Sequence, residues 1–334
     1  MGAVDSPPDL TLRDSGELRD RPIPGGLDQR LQRLADGHPS SPRYPDNRPA
    51  DGGGDPREVR PLADAEHAEH VAEVRERLAE AHAAGLETHV QFTLDGGQEV
   101  WTDERDALQG AIVEDLYARC SEVPCDGEAI LAGGLPGAGK TTVLREFADL
   151  DLSQYVMINP DGIKAEMAKR GLIPDVVGLS PMEASDLVHE EASQVAKRLA
   201  SRAESDGRNV IWDFTMSETS TIADRIDSLR SAGYVRVDGV FVDIPVEVSV
   251  QRAADRHRNG HDEYRAGIGL GDRYIAEATI MKHADSSWGS GNRKNFEELK
   301  PKLDGWSRYD NSVDGRAPVL VESHAARLTD RERN

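Results

Sequence analysis

Residues Gly134 to Thr141 read GLPGAGKT and directly follow the short apolar run Ala129, Ile130, Leu131, Ala132. A strand, a glycine-rich loop, a lysine and a hydroxyl in that order are the parts of a phosphate-binding loop. Gly134, Gly137 and Gly139 let the backbone turn tightly and bring N–H groups against phosphate oxygens. Pro136 and Ala138 complete the loop, and a helix starting near Lys140, through Thr141 and Thr142, adds the positive end of its dipole. Lys140 then reaches the β and γ phosphates, and Thr141 offers its hydroxyl to a hard cation that prefers oxygen ligands. The expected cofactors are ATP and Mg²⁺.

Two acidic residues stand just beyond apolar runs. The segment Ile158, Asn159, Pro160, Asp161, Gly162 places Asp161 where a base could take the proton of a phosphoryl acceptor hydroxyl. The same residue could instead cap the helix that follows; the residues alone do not choose between the two. Asp213, in the run Trp212, Asp213, Phe214, Thr215, can orient Mg²⁺ or accept from a substrate hydroxyl, with Thr215 as a neighbouring donor. Arg252, Arg256, Arg258, Arg265 and Arg273 form a basic group around Gly267, Gly269 and Gly271; guanidinium forks closing over phosphates would neutralise the transferring group. At least two of the five are expected on the surface. Glu190 and Glu191 lie within a helical stretch from about Glu183 to Glu204 and are weak candidates on pattern alone. His257 and His261 are four apart, but Gly260 between them argues against a metal-binding helix face.

The elements that position these residues alternate. Apolar or β-branched runs at Ala129–Ala132, Tyr155–Ile158, Val210–Trp212, Val237–Ile244 and Val319–Val321 are separated by helical patterns, which predicts an α/β domain with a parallel sheet and helices on both faces. Its ligand belongs at the carboxyl ends of the strands. Before this core, a helix is predicted over Ala65–Ala84, then a hairpin of Val90, Phe92 and Leu94 turning at Asp95–Gly97 into Val100 and Trp101, then a helix capped by Thr102 and running to about Cys120. The stretch before it is dense in Pro, Gly, Asp and Arg and cannot bury enough apolar area to order itself. The expected organisation is a disordered tail over 1–62, a small α+β extension over 63–127, the main domain over 128–325 and a short tail over 326–334.

The formal charge of −21 argues against nucleic acid or a membrane surface as a general partner. Only Cys120 and Cys125 are present, in no zinc or redox spacing, and neither a leader nor a spanning run is seen. A cytoplasmic protein acting on a small molecule is expected.

Taken together, GLPGAGKT, INPDGIK, HEEAS, WDFT, and RHRNG followed by GLGDRYI resemble the zeta-toxin family, phosphate-loop kinases of bacterial toxin–antitoxin systems best described as UDP-N-acetylglucosamine kinases. The resemblance covers roughly residues 128–283. It implies a P-loop kinase fold, nucleotide and Mg²⁺ at Lys140 and Thr141, and Asp161 as the base for the sugar 3′-hydroxyl. It also implies Glu190 or Glu191 on the sugar, Asp213 and Thr215 at the acceptor site, Arg256 and Arg273 on the phosphates, and an antitoxin protein as a partner. The chain departs from the pattern at Asp213, where the family carries Glu, and at Ser217, where it carries a basic residue. The remaining readings are another acceptor, such as an antibiotic or nucleoside, and an ATP-dependent switch or scaffold without turnover.

Overall fold

A computed structural model describes residues 59–94, 100–148 and 150–325. The expected tails lie almost wholly outside these residues, as does the predicted turn at Asp95–Gly97. In chain order the elements are α1 Asp64–Ala83, α2 Thr88–Gln91, α3 Asp103–Ala118, β1 Glu128–Gly133, α4 Lys140–Glu146, β2 Val156–Ile158 and α5 Pro160–Lys169. Then come α6 His189–Ser205, β3 Val210–Asp213, α7 Thr219–Ser231, β4 Arg236–Asp243, α8 Val246–Arg265 and α9 Glu277–Met281. The series ends with β5 Ala284–Asp285, β6 Gly289–Ser290, α10 Gly291–Leu299, β7 Gly305–Asp310 and β8 Val319–His324.

The main sheet has six strands in the order β2-β3-β1-β4-β7-β8. Five are parallel; β8 runs antiparallel to β7 at the edge. β1 is buried on both faces because its side chains alternate between two cores. Ala129 and Leu131 join Val195, Trp212 and Phe296 on one side, while Ile130 and Ala132 join Val143, Ile211 and Val242 on the other. Register then sets the functional edge: Ala132 is level with Asp213 on β3 and Val240 on β4, and Ile158 is level with Trp212. The loops after β1, β2 and β3 therefore leave the sheet side by side, as the carboxyl-edge rule requires.

Two sequence expectations change here. The apolar run Val319–Val321 is an antiparallel edge strand, and β7, which the pattern did not reveal, lies between it and β4. β7 reads as polar because Arg308 sits inside it, half-satisfied on each side: its guanidinium donates to Asp243 of β4 (3.2 Å) and to Glu322 of β8 (2.6 Å). Among the described residues the N-terminal hairpin is a single antiparallel bridge, Thr93 to Trp101, since Thr88–Gln91 closes a helical turn instead. The flanking helices stand as expected, with the Thr102 hydroxyl accepting from the Arg105 amide (3.4 Å).

α3 docks on α6 through a buried ion pair to Glu191. Arg105 Nε and Nη2 each donate to one Glu191 oxygen at 2.7 Å, and Gln109 adds a bond of 2.9 Å to Oε1. With 1% of its side chain exposed and both oxygens held from α3, Glu191 ties the two helices together. Removing one partner of such a pair leaves an uncompensated buried charge. Arg105→Ala is expected to lower unfolding stability by about 3–5 kcal/mol; a loss below about 1 kcal/mol in denaturant titration would show that the pair does not hold α3 in place.

Candidate phosphate-binding and acceptor site

The loop Gly134–Gly139 joins β1 to α4, and its carbonyls are held from outside. Ser249 Oγ donates to Pro136 O (2.6 Å), Arg252 Nη1 to Gly137 O (3.3 Å), Asn311 Nδ2 to Ala138 O (2.8 Å) and Lys140 Nζ to Gly134 O (3.2 Å). Gly139 caps α4 with φ +80°, and the first-turn N–H groups of Lys140, Thr141 and Thr142 have no acceptor within a helix that starts there. Gly134, at φ +143°, lies so close to β4 that a Cβ would stand 2.4 Å from the Val242 carbonyl oxygen. The result is a concave backbone whose acceptors are used up and whose donors are not.

Lys140 Nζ also stands 3.5 Å from Asp213 Oδ1, and the other oxygen of Asp213 accepts from Asn159 Nδ2 at 3.0 Å. Asn159 has a second duty. Its Oδ1 accepts from the amides of Asp161 (2.8 Å) and Gly162 (3.4 Å), so Asn159, not Asp161, caps α5, with Pro160 at the first helical position. The ambiguity over Asp161 is thereby resolved against capping. Its carboxylate instead pairs with Arg273 Nη1. Burial pushes the Arg273 guanidinium down to about 10, which leaves it cationic at neutral pH.

Arg273 arrives on the irregular segment between α8 and α9. That segment is pinned by Leu270 O, which accepts from the Met182 amide (3.1 Å), and by close approach of Asp272 to Gly260, where a Cβ would meet Asp272 Cβ at 2.5 Å. Arg256 Nε lies 3.3 Å from Asp272 Oδ1, yet its Nε and Nη2 find no hydrogen-bond acceptor among the described residues. A cavity of about 450 Å³ opens here, bounded in part by Arg252, Arg256, Asn259 and Asp272. Arg258 is half-buried and pairs with Asp64 (2.9 Å), while Arg265 is an exposed residue paired with Asp262 (3.1 Å). Thr215 is half-buried, its carbonyl accepting from the buried Asn292 (2.7 Å). Glu190 is exposed in the first turn of α6.

The family model for the zeta toxin matches residues 117–292. The chain belongs to the zeta toxin family. No curated protein matches its sequence. Among solved structures, a chain of the AvrRxo1-ORF1:AvrRxo1-ORF2 complex with sulphate ions is similar at a TM-score of 0.52 and 19% identity, over 68% of this chain and 70% of that one. The same complex with ATP gives 0.51 and 19%, over 68% and 69%. A chain of the PezAT toxin–antitoxin system of Streptococcus pneumoniae gives 0.47 and 18%, over 67% and 81%. The AvrRxo1 likeness shows the fold, that of a P-loop kinase; no helix among the described residues is long and apolar enough to cross a membrane.

In this zeta toxin family member several site residues escaped sequence reasoning. Ser249, Asn311 and Asn292 are ordinary polar residues far along the chain, and only the fold brings the first two to the loop and Asn292 to the Thr215 carbonyl. Lys164 had a signal, since it stands one helical turn after Asp161. It is 5% exposed, burial lowers its pKa against the opposing pull of Asp186 and Glu190, and no carboxylate among the described residues comes within ion-pair distance.

Gly139→Ala forces a side chain into left-handed backbone, about 1–2 kcal/mol, and toward Asn311 Nδ2, 2.7 Å from the added Cβ. ATP affinity is expected to fall about 5- to 30-fold, measured by calorimetry, with the thermal transition retained. Undiminished affinity would mean that the loop is not the triphosphate site.

Proposed function

We propose that this protein is an ATP- and Mg²⁺-dependent kinase that transfers the γ-phosphoryl group to a hydroxyl of a nucleotide sugar, the 3′-hydroxyl of UDP-N-acetylglucosamine. The reading is carried by Asp161: Asn159 relieves it of capping, Arg273 pairs with its carboxylate, and it emerges at the same sheet edge as Lys140. The AvrRxo1 complex with ATP supports the nucleotide, and family membership supports the reaction class.

In this scheme the free N–H groups at the start of α4 cradle phosphate oxygens and Lys140 exchanges the Gly134 carbonyl for the β and γ phosphates. Thr141 and Asp213 form an all-oxygen donor pair that fits Mg²⁺, which when bound neutralises phosphate charge. As the new O–P bond forms and the bond to ADP breaks, the hydroxyl proton passes to an Asp161 oxygen. Arg273 fixes that carboxylate, and the unused N–H groups of Arg256 face charge on the transferring group. Glu190 and Thr215 line the acceptor side, with Lys164 beneath it. The setting is cytoplasmic, and an antitoxin protein is the expected macromolecular partner, as the PezAT description states for that system.

ADP release is expected to rise on adding UDP-N-acetylglucosamine, to yield a phosphorylated sugar nucleotide by mass spectrometry, and to vanish in Lys140→Ala. Asp161→Asn should keep ATP binding while turnover drops by about 10²–10⁴. Unchanged turnover in that variant would remove Asp161 as the base. ATP binding without stimulation would reject this acceptor and turn the search to other hydroxyls.

A further inference from the structure

A second cluster of reactive side chains lies away from the phosphate loop, where α1 meets α8. Glu183 opens a short 3₁₀ turn, Glu183–Val188, and is 2% exposed. Its Oε2 accepts from the Ser180 amide at 2.7 Å, which fixes the carboxylate. Its Oε1 faces three imidazoles: His70 Nε2 at 2.6 Å, His257 Nε2 at 2.9 Å and His261 Nδ1 at 3.2 Å. His70 comes from α1; His257 and His261 come from α8, one turn apart on one face. α8 runs unbroken through Gly260, so the expectation that this glycine spoils the face is overturned; the glycine is there to admit the backbone of Asp272.

Three ring nitrogens exceed what one carboxylate oxygen, with two in-plane lone pairs, accepts well. The surplus is visible: His261 Nδ1 is buried and makes no hydrogen bond. The ligand atoms of His70, Glu183 and His261 all lie within 4.8 Å of one another. A tetrahedral ion with bonds of about 2.0 Å sets its ligands about 3.3 Å apart. The 3.2 Å from His261 Nδ1 to Glu183 Oε1 already matches, and the 2.6 Å to His70 must open by less than 1 Å. His67 Nε2, 3.1 Å from His257 Nδ1, orients the His257 ring behind the site, the kind of outer support that metal sites carry.

We propose that His70 Nε2, His261 Nδ1 and Glu183 Oε1 form a site for a divalent transition-metal cation of the zinc class. Two imidazoles and one carboxylate suit such an ion and not Mg²⁺, which prefers an all-oxygen shell. The side chains of His70 and His261 are 10% and 13% exposed, enough for an ion to enter and for water to complete the shell. His70 precedes the matched family region, so the ion would tie α1 to the helix that carries Ser249, Arg252 and Arg256. This site stands independently of the kinase reading.

The test uses full-length protein stripped with chelator, dialysed, and titrated with Zn²⁺ in excess Mg²⁺. One equivalent is expected to bind, and Tm should rise by about 5–10 °C at roughly a hundredfold excess over Kd. His70→Ala and His261→Ala should each weaken binding more than about 100-fold, beyond what loss of an outer partner costs. His324→Ala and Cys125→Ser, which alter other possible zinc ligands, should leave it unchanged. Should either histidine variant misfold, Co²⁺ added to the wild-type chain gives a separate readout, the strong visible absorption of a four-coordinate site. Absence of that absorption, absence of stoichiometric Zn²⁺ binding, or binding equally tight in the two histidine variants would overturn the proposal and leave a hydrogen-bonded cluster only.

Discussion

A backbone loop can present N–H groups to a polyanion only if its carbonyls are satisfied elsewhere, because each residue carries both a donor and an acceptor. That constraint organises this molecule. The carbonyls of Pro136, Gly137 and Ala138 are met by Ser249, Arg252 and Asn311, residues more than a hundred positions downstream. Arg252 does the most: it also donates to Asn311 O at 2.8 Å and pairs with Asp314 at 2.6 Å, joining α8 to the end of β7 across the back of the loop. A loop so braced does not have to reorganise when phosphate arrives, which is the condition for fixed dipoles to stabilise charge effectively.

The same helix links the parts of the site to each other. Its first turns hold the phosphate loop, its middle carries Arg256, and Gly260 lets the following segment pack close enough to deliver Arg273 to Asp161. One turn further round, His257 and His261 face Glu183 and α1. Movement of α8 would therefore reach the loop carbonyls, Arg256 and Arg273, and the N-terminal helix together.

What the sequence made legible follows from how local each signal is. The phosphate loop, the sheet strands built of continuous apolar runs and the Thr102 cap depend on neighbours within a few residues, and all stand in the structure. β7 was illegible because Arg308 gives it a polar pattern; only partners on two adjacent strands make that arginine tolerable in a sheet interior. The packing role of Glu191 was illegible for the converse reason: a helix glutamate beside another glutamate looks solvent-facing or functional, and nothing local announces Arg105, 86 residues earlier, as its buried partner. The histidine cluster failed a local rule on glycine that tertiary packing set aside. Asp161 was readable in place but not in role, since the competing cap is the Asn159 side chain and not a feature of Asp161 itself.

Net charge poses the remaining question of how a chain of −21 accommodates a polyanion. The site answers by pairing. Lys140 stands against Asp213, Arg252 against Asp314, Arg256 against Asp272 and Arg273 against Asp161. Each cation is oriented by its own carboxylate, so the basic heads converge without like-charge repulsion and without the cost of burying them unpaired. A ligand that recruits them must compete with those carboxylates, which a weakly charged molecule cannot do and a triphosphate, with its dense charge, can. On the proposed kinase reading, Arg273 with Asp161 differs from the other three pairs in that its anion would be the one to take the proton: the arginine paired with Asp161 would release it only as negative charge builds on the transferring phosphoryl group beside it. Positioning and proton transfer would then be coupled through one guanidinium.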